Sequence, residues 1–212
     1  MAKNQGLSFI LFSKNLISTK EVNNYFNYLK TEGFLGYDFD NNSYTDISAI
    51  LSMYPDEPRY NIKINNVKGV VTNGDSKNYV LFLLDGGSKE SVKILSCCNE
   101  FCKIISELNF CFLDQEGDPP KDFEKTVRNL DLKHLFQYNY FGQGFIEKFG
   151  KDFFTNLPCV KQEFITDNII RIDLVKDIFE PIDETLKAEI DAYLAKFSIK
   201  VRFYDYRQHY ID

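Results

Sequence analysis

The stretch that decides the fold class is IIRIDLV at positions 169–175, followed by DETLKAEIDAYLAKF at 183–197 and SIKVRFYDY at 198–206. The first segment is rich in branched apolar residues, with Arg171 and Asp173 between them, which is typical of a strand. In the second segment, apolar residues recur every three or four positions, which indicates one buried face of a helix. Alternating apolar residues in the third segment predict a second strand. Together the segments predict a strand–helix–strand unit.

The amino-terminal half predicts further strands and helices. Apolar runs at 7–12 and 79–84 predict buried strands, and the second of them is expected to be central in a sheet. Ser18 and Glu21 have the spacing of a capping box, and the apolar positions that follow predict a helix that ends at Gly33. The combination predicts an α+β fold, with a mixed or antiparallel sheet and helices packed on it.

Other segments carry weaker patterns. Polar and aromatic residues at 36–46 predict a loop, and alternation at 60–64 and 67–72 predicts two more strands. The segment 123–154 is predicted to be mostly helical, which would place His134 on a helix.

Two segments look alike, because 79–114 and 169–205 each predict strand, helix and strand. Either the chain contains two related strand–helix–strand units, or short α+β units simply share this appearance. The loop at 115–122 contains a Pro-Pro pair and is the best candidate for an internal boundary. We expect a single α+β domain over residues 1–212, because this length fits one large domain.

The chain is acidic, with 25 Lys and Arg residues against 31 Asp and Glu residues and a formal net charge of −6. Phosphate backbones attract clusters of Lys and Arg, so this charge argues against a nucleic-acid ligand and suits a basic protein partner. The amino-terminal apolar run at 7–12 is too short for a signal-peptide core or a membrane span. Without an export signal, the 5 cysteines are expected to be reduced thiols in a cytoplasmic protein.

No segment carries a recognised catalytic motif, so we expect no enzymatic activity and no cofactor. The two histidines, His134 and His209, have no partners at the spacing of a catalytic triad or a zinc site. The acidic stretch that begins at Asp38 lacks the Gly and Glu that a calcium loop needs, so we expect no metal site there. Carboxylates at predicted strand ends, Asp114 and Asp173, keep open the alternative of an enzyme of unrecognised type.

Three thiols lie close together at Cys97, Cys98 and Cys102. A structural zinc site needs four ligands, usually in paired Cys-x2-Cys units, and this spacing does not supply them. Cys98 and Cys102 lie one turn apart on an apolar helix face, which favours simple core packing. A redox role is the alternative.

Seven acids and two lysines lie between Asp173 and Asp191. A solvated helix face is the simpler interpretation, because carboxylates stabilise a helix N-terminus. The alternative is a docking surface for a basic protein, with nearby tyrosines as anchors. The candidate partner-binding residues are Asp173, Asp177, Glu180, Asp183, Glu184, Tyr204 and Tyr206.

The sequence YFGQGFIEKFGKDFFTNLP at 140–158, together with NIIRID at 168–173, resembles the carboxy-terminal part of some bacterial polymorphic-toxin immunity proteins. In that family a helix of the form F-I-x-K-F-G, an aromatic pair, a Leu-Pro and a strand follow in this order. The resemblance covers about the last third of the chain. It implies a small, acidic, cytosolic α+β protein that binds and neutralises a cognate toxin, and it assigns no binding residue.

The leading prediction is therefore a non-enzymatic protein-binding protein, most concretely an immunity protein that masks the active site of a toxin. One alternative is an enzyme that uses carboxylates at strand ends. Another is a structural subunit of a larger assembly, for which a large exposed apolar patch would be the sign. The sequence leaves the oligomeric state open.

Overall fold

The computed structural model describes residues 6–15, 17–53, 59–64, 67–73, 80–85, 91–105, 107–115 and 122–204. The predicted α+β class is confirmed, since helices pack on a large antiparallel sheet. The helices in these ranges are α1 (Thr19–Thr31), α2 (Ile47–Met53), α3 (Ser91–Ile104), α4 (Phe123–Arg128), α5 (Gln143–Phe149), α6 (Lys151–Thr155) and α7 (Glu184–Ala195).

Within the described ranges, ten strands form one sheet in which every neighbouring pair is antiparallel. In chain order these strands are β1 (Gly6–Ser13), β2 (Leu35–Asp38), β3 (Ser43–Asp46), β4 (Arg59–Ile64), β5 (Val67–Asn73), β6 (Val80–Asp85), β7 (Leu108–Gln115), β9 (Tyr138–Phe141), β10 (Lys161–Thr166) and β11 (Ile169–Asp173). The spatial order is β10-β11-β9-β7-β1-β6-β5-β4-β2-β3. Two short strands, β8 (His134–Leu135) and β12 (Arg202–Phe203), pair in parallel as a separate ribbon.

The centre of the sheet is a split strand–helix–strand unit. Strand β1 pairs with β6 on one side and β7 on the other, with Phe9 opposite both Phe82 and Leu113. Because both neighbours are antiparallel to β1, β6 and β7 run parallel to each other, and α3 makes the crossover between them. The predicted central position of β6 is therefore confirmed.

Aromatic side chains fill both faces of the sheet. On one face the ring of Phe9 lies 6.2 Å from Phe101 of α3, which stacks at 4.0 Å on Tyr25 of α1. On the other face, Phe110 contacts Phe123 of α4 at 5.6 Å and Phe145 of α5 at 5.9 Å. The core therefore has two layers, because helices cover both faces of this part of the sheet.

The predicted capping box at the start of α1 is confirmed. The Ser18 hydroxyl accepts from the backbone N–H of Glu21, and the Glu21 carboxylate accepts from the backbone N–H of Ser18. Two donors that the helix leaves unpaired are thus satisfied. Gly33 follows the helix with φ +84°, a backbone conformation that glycine adopts without steric cost.

Three local predictions were wrong. The predicted loop at 36–46 is the β2–β3 hairpin. The segment 123–154 contains α4, α5 and most of α6, as predicted, but β8 and β9 lie between α4 and α5, so the placement of His134 on a helix was wrong. Of the predicted strand at 198–206, the structure describes residues 198–204, and within them only Arg202–Phe203 forms a strand, which pairs with β8 outside the main sheet.

The short strand β12 and its pairing with β8 distinguish the segment 169–205 from the segment 79–114, although the two look alike in sequence. Strands β6 and β7 flank β1 in one sheet, whereas β11 and β12 belong to different sheets. The two segments therefore differ in topology. Residues 116–121 of the proposed internal boundary lie outside the described residues, and the boundary stays a prediction. Strands from both sides of it, β7 and β9, are neighbours in the sheet.

Candidate functional site

The acidic segment, defined here as residues 177–184, joins β11 to α7. Glu180, Asp183 and Glu184 are exposed, and Asp177 is half-buried. Asp183 caps α7, because its carboxylate accepts from the backbone N–H groups of Thr185 at 2.9 Å and Leu186 at 3.1 Å. The start of the helix thus fixes the position of a negative charge at the surface.

The acidic segment is held against the core by its own apolar residues. Ile178 and Ile182 are each only 1% exposed. The Asp177 carboxylate accepts from the backbone N–H of Phe179 at 3.1 Å, and the Gln137 side-chain amide donates to the backbone carbonyl of Glu180. The exposed carboxylates therefore project from an ordered segment rather than from a loose loop.

Asp173 lies inside the molecule, whereas Glu180, Asp183 and Glu184 are exposed. Asp173 is 4% exposed, and Arg171, on the same face of β11, donates to its carboxylate oxygens at 2.8 Å and 3.1 Å. Arg171 is itself 2% exposed and donates at 3.0 Å to the Asn99 side chain, which also accepts from the Tyr140 hydroxyl at 2.9 Å. Asp173 thus belongs to an internal polar network rather than to the predicted surface.

The electrostatics of this region centre on Tyr138. Burial raises the pKa of the Tyr138 hydroxyl to about 12, and the negative charges of Asp173, Asp177 and Glu180 add to that rise. Burial also raises the pKa of the Asp173 carboxyl, against the attraction of Arg171. Three of the sequence-predicted acids, Asp173, Asp177 and Glu180, therefore add to the effect of burial on one tyrosine, while the Arg171 guanidinium opposes them.

The acids of α7 do not form one continuous face. Glu184 accepts from the Lys187 ammonium group at 2.8 Å, so its charge is partly compensated. Glu184 and Asp191 are two turns apart and share one flank, whereas Glu189 lies on the opposite flank because it is two residues from Asp191. The acidic segment, rather than the whole helix, is the best-defined negative surface.

The structure describes one of the two predicted tyrosine anchors. Tyr204 is half-buried, and its ring stacks on Phe136 at 5.2 Å and lies 5.5 Å from His134. Its backbone N–H donates to the carbonyl of Leu135, so it extends the β8–β12 ribbon. These contacts give Tyr204 a packing role. Tyr206 lies outside the described residues.

The cysteines predicted to pack in the core do so. Cys97, Cys98, Cys102 and Cys111 are buried and free, and Cys159 is half-buried. Burial raises the pKa of Cys97 to about 11 and raises the pKa of Cys98 and Cys111 as well. Because the thiolate is the reactive form, these thiols are poorly suited to redox chemistry.

The described residues hold no group of three or more His, Cys, Asp or Glu side chains placed to bind a metal.

Asp38 is buried and accepts from the backbone N–H groups of Asp40 and Asn41, so it shapes the β2–β3 turn and is not simply solvated. His134 is 5% exposed and lines a small pocket with Phe123 that has room for about one water molecule. The side chain of Asp114 lies outside the described residues.

Sequence reasoning missed Arg171, Tyr138 and Gln137. Arg171 carried a usable signal, because residues two apart in a strand share a face and Arg171 precedes Asp173 by two. Tyr138 and Gln137 carried no such sequence signal. Their roles depend on β9, and the segment that contains β9 was predicted to be mostly helical.

None of the helices in the described ranges has the length and apolar character needed to cross a bilayer. No protein-family model matches the chain, and no curated protein matches it.

Proposed function

We propose that this chain is a non-enzymatic protein-binding protein, most concretely an immunity protein that neutralises a cognate toxin by covering its active site. The observation that carries the proposal is the acidic segment, whose exposed carboxylates Glu180, Asp183 and Glu184 project from a segment anchored by Ile178 and Ile182. The resemblance of residues 140–158 to immunity proteins supports the same function.

An ordered acidic surface suits an inhibitor of a basic protein. Little conformational entropy is lost on binding when the contacting segment is already fixed, so more of the contact energy appears as affinity. Complementary charge also accelerates encounter and rejects partners of like charge.

The alternative of an enzyme with carboxylates at strand ends is less well supported at Asp173. Its carboxylate is 4% exposed and both of its oxygens accept from Arg171. A general acid or base must reach the proton that it transfers, and this carboxylate is enclosed by its own partners. The alternative of an assembly subunit has weaker support. In the part of the chain whose side chains are described, the exposed large apolar residues belong to several separate elements, namely Leu35, Phe39, Met53, Val92, Val160, Phe164 and Phe197.

Co-purification with the product of the adjacent gene, expressed as a candidate toxin, tests the proposal. Wild-type chain is expected to retain that protein, and Glu180→Lys is expected to reduce the retained fraction at least fivefold by placing a positive charge in the acidic segment. Asp167→Lys makes the same charge change in the exposed β10–β11 turn and serves as the matched control. Absence of a complex at micromolar concentration would contradict the proposal.

A further inference from the structure

Strand β10 is one of the two edges of the ten-stranded sheet, and no strand among the described residues pairs with its outer edge. An edge strand presents backbone N–H and C=O groups that another strand can pair with. We propose that β10 pairs antiparallel with β10 of a second copy of this chain, about a two-fold axis at Gln162, to form a homodimer with one continuous sheet.

The charges on β10 and β11 form a checkerboard, defined by four residues. Glu163 stands directly opposite Arg171 across the two strands, and Lys161 stands opposite Asp173. Along each strand the sign also alternates, with Lys161 and Glu163 3.0 Å apart and Arg171 and Asp173 2.8 Å apart. Each charge therefore has neighbours of opposite sign along and across the strands.

A two-fold axis at Gln162 continues this checkerboard into the second copy. In that register Lys161 of each copy stands opposite Glu163 of the other, because the two residues lie one position on either side of Gln162. Across the joined sheets, the residues that face one another are then, in order, Arg171 and Glu163 of one copy followed by Lys161 and Asp173 of the second copy. Their signs alternate throughout, so the edge is complementary to itself.

The same register also matches apolar residues. Val160 and Phe164 are 43% and 45% exposed, and they lie two positions on either side of Gln162. The two-fold axis therefore places Val160 of each copy opposite Phe164 of the other. Pairing would remove two exposed apolar pairs from water while the charged pairs form.

Charged residues and bulges usually protect an edge strand from pairing. Here the register irregularity inside β10 falls between Phe164 and Thr166, beyond the residues 161–164 of β10 that would pair. Val160 lies just before the strand, where its backbone N–H donates to the carbonyl of Asp173. The charges protect the edge only against a neighbour of like sign, and a second copy presents opposite sign. The other edge, β3, has a single charged residue, Asp46, which is already paired with Lys30 at 2.9 Å.

Sedimentation velocity on the full chain tests the dimer. Wild type is expected to be dimeric at 50 µM, whereas Lys161→Glu alone and Glu163→Lys alone are each expected to weaken dimerisation at least tenfold, because each places like charges opposite one another. An equimolar mixture of the two variants is expected to dimerise again, because each variant supplies the charge that the other needs. Lys20→Glu on α1 is the control for charge reversal elsewhere.

A second measurement does not depend on the charge variants folding well. Residues that face each other across an antiparallel pair have Cα atoms about 4.5–5.5 Å apart, within the range of a disulfide. Gln162→Cys is therefore expected to give a covalent dimer under mild oxidation, whereas Asp167→Cys, just beyond β10, is expected to stay monomeric. Wild type that remains monomeric at 100 µM, together with no cross-linking of Gln162→Cys beyond the control, would overturn the proposal.

Discussion

At the scale of single residues, Arg171 and Asp173 show how a charge that looks like a surface feature in sequence becomes part of the interior. The pair is buried, and Asn99, Tyr140 and Glu163 complete its contacts. Burying two charges costs free energy, and close pairing with additional hydrogen bonds offsets that cost. Asp173 is therefore a structural residue of this internal network and not part of the exposed acidic surface.

Removing one member of this pair should destabilise the fold strongly. Arg171→Leu is expected to lower the free energy of unfolding by about 3–5 kcal/mol, because the Asp173 carboxylate would stay buried without its partner. Urea denaturation measures this change. Arg171→Leu with Asp173→Leu should recover part of the loss, since both buried charges are then absent. An Arg171→Leu protein as stable as wild type would contradict the account.

Tyr138 should make stability depend on alkaline pH. Its pKa rises from 10.0 to about 12 in the folded chain, so the folded state keeps a proton that the unfolded state releases between these values. The stability is thus fully present below pH 10 and falls as pH rises through 12, by about 1.4 kcal/mol per pH unit for this group. Tyr138→Phe should unfold in urea with a shallower pH dependence between pH 10 and 12. Equal slopes for the two proteins would count against this placement of Tyr138.

At the scale of elements, the start of α5 depends on a close backbone approach. Gly142 donates its N–H to the carbonyl of Asn109, and a Cβ added at Gly142 would lie 1.7 Å from the carbonyl oxygen of Leu108. No side chain fits there without moving β7 away from α5. A Cβ added at the second glycine of the segment, Gly144, would meet the flexible end of the Leu130 side chain at 3.1 Å and, at an ordinary contact distance of 3.5 Å, the Asn109 side-chain oxygen.

Gly142→Ala is therefore expected to cost about 3 kcal/mol or more in stability, because backbone must shift to accept the methyl group. Gly144→Ala is the matched control and should change stability by about 1 kcal/mol at most, since the Leu130 side chain can rotate. Thermal melts of the two variants measure the difference. Similar melting temperatures would show that this part of β7 and α5 is less tightly packed than described.

The elements also show what sequence patterns could predict. Helices α1 and α7 were predictable, because each buries one face and has a side-chain cap, at Ser18 and Asp183 respectively. Strand β9 was not predictable. All four of its residues are buried, so its sequence lacks the alternation of buried and exposed residues that marks a strand. Its polar residue Asn139 is satisfied internally, by the backbone N–H and carbonyl of Phe136, and such a contact leaves no pattern in sequence.

At the scale of the whole molecule, the sheet extends from β3 to β10 and joins strands from both halves of the chain. The α+β class followed from the period of the hydrophobic pattern, whereas the strand order did not, because pairing between distant segments leaves no local signal. For the candidate site, the sequence indicated the exposed acids Glu180, Asp183 and Glu184. It could not reveal that Asp173 is internal or that Tyr204 packs on Phe136.

The acidic segment offers one position at which the function can be tested with little effect on folding. Asp177 accepts from the backbone of Phe179 and Asp183 caps α7, so substitutions at either residue would disturb local structure. Glu180 is exposed and contributes its backbone carbonyl, rather than its carboxylate, to the contact with Gln137. A change at Glu180 therefore alters surface charge while the anchors of the segment remain.

Isothermal titration calorimetry of the chain with the purified product of the adjacent gene is the decisive experiment for the proposed function. We expect a saturable complex with submicromolar affinity at 50 mM NaCl, weakened at least fivefold at 300 mM NaCl because screening reduces attraction between exposed charges. We also expect at least fivefold weaker binding for Glu180→Lys and unchanged binding for Asp167→Lys. No binding at micromolar concentration, or equal affinities for wild type and Glu180→Lys, would be incompatible with a protein that binds its partner through the acidic segment.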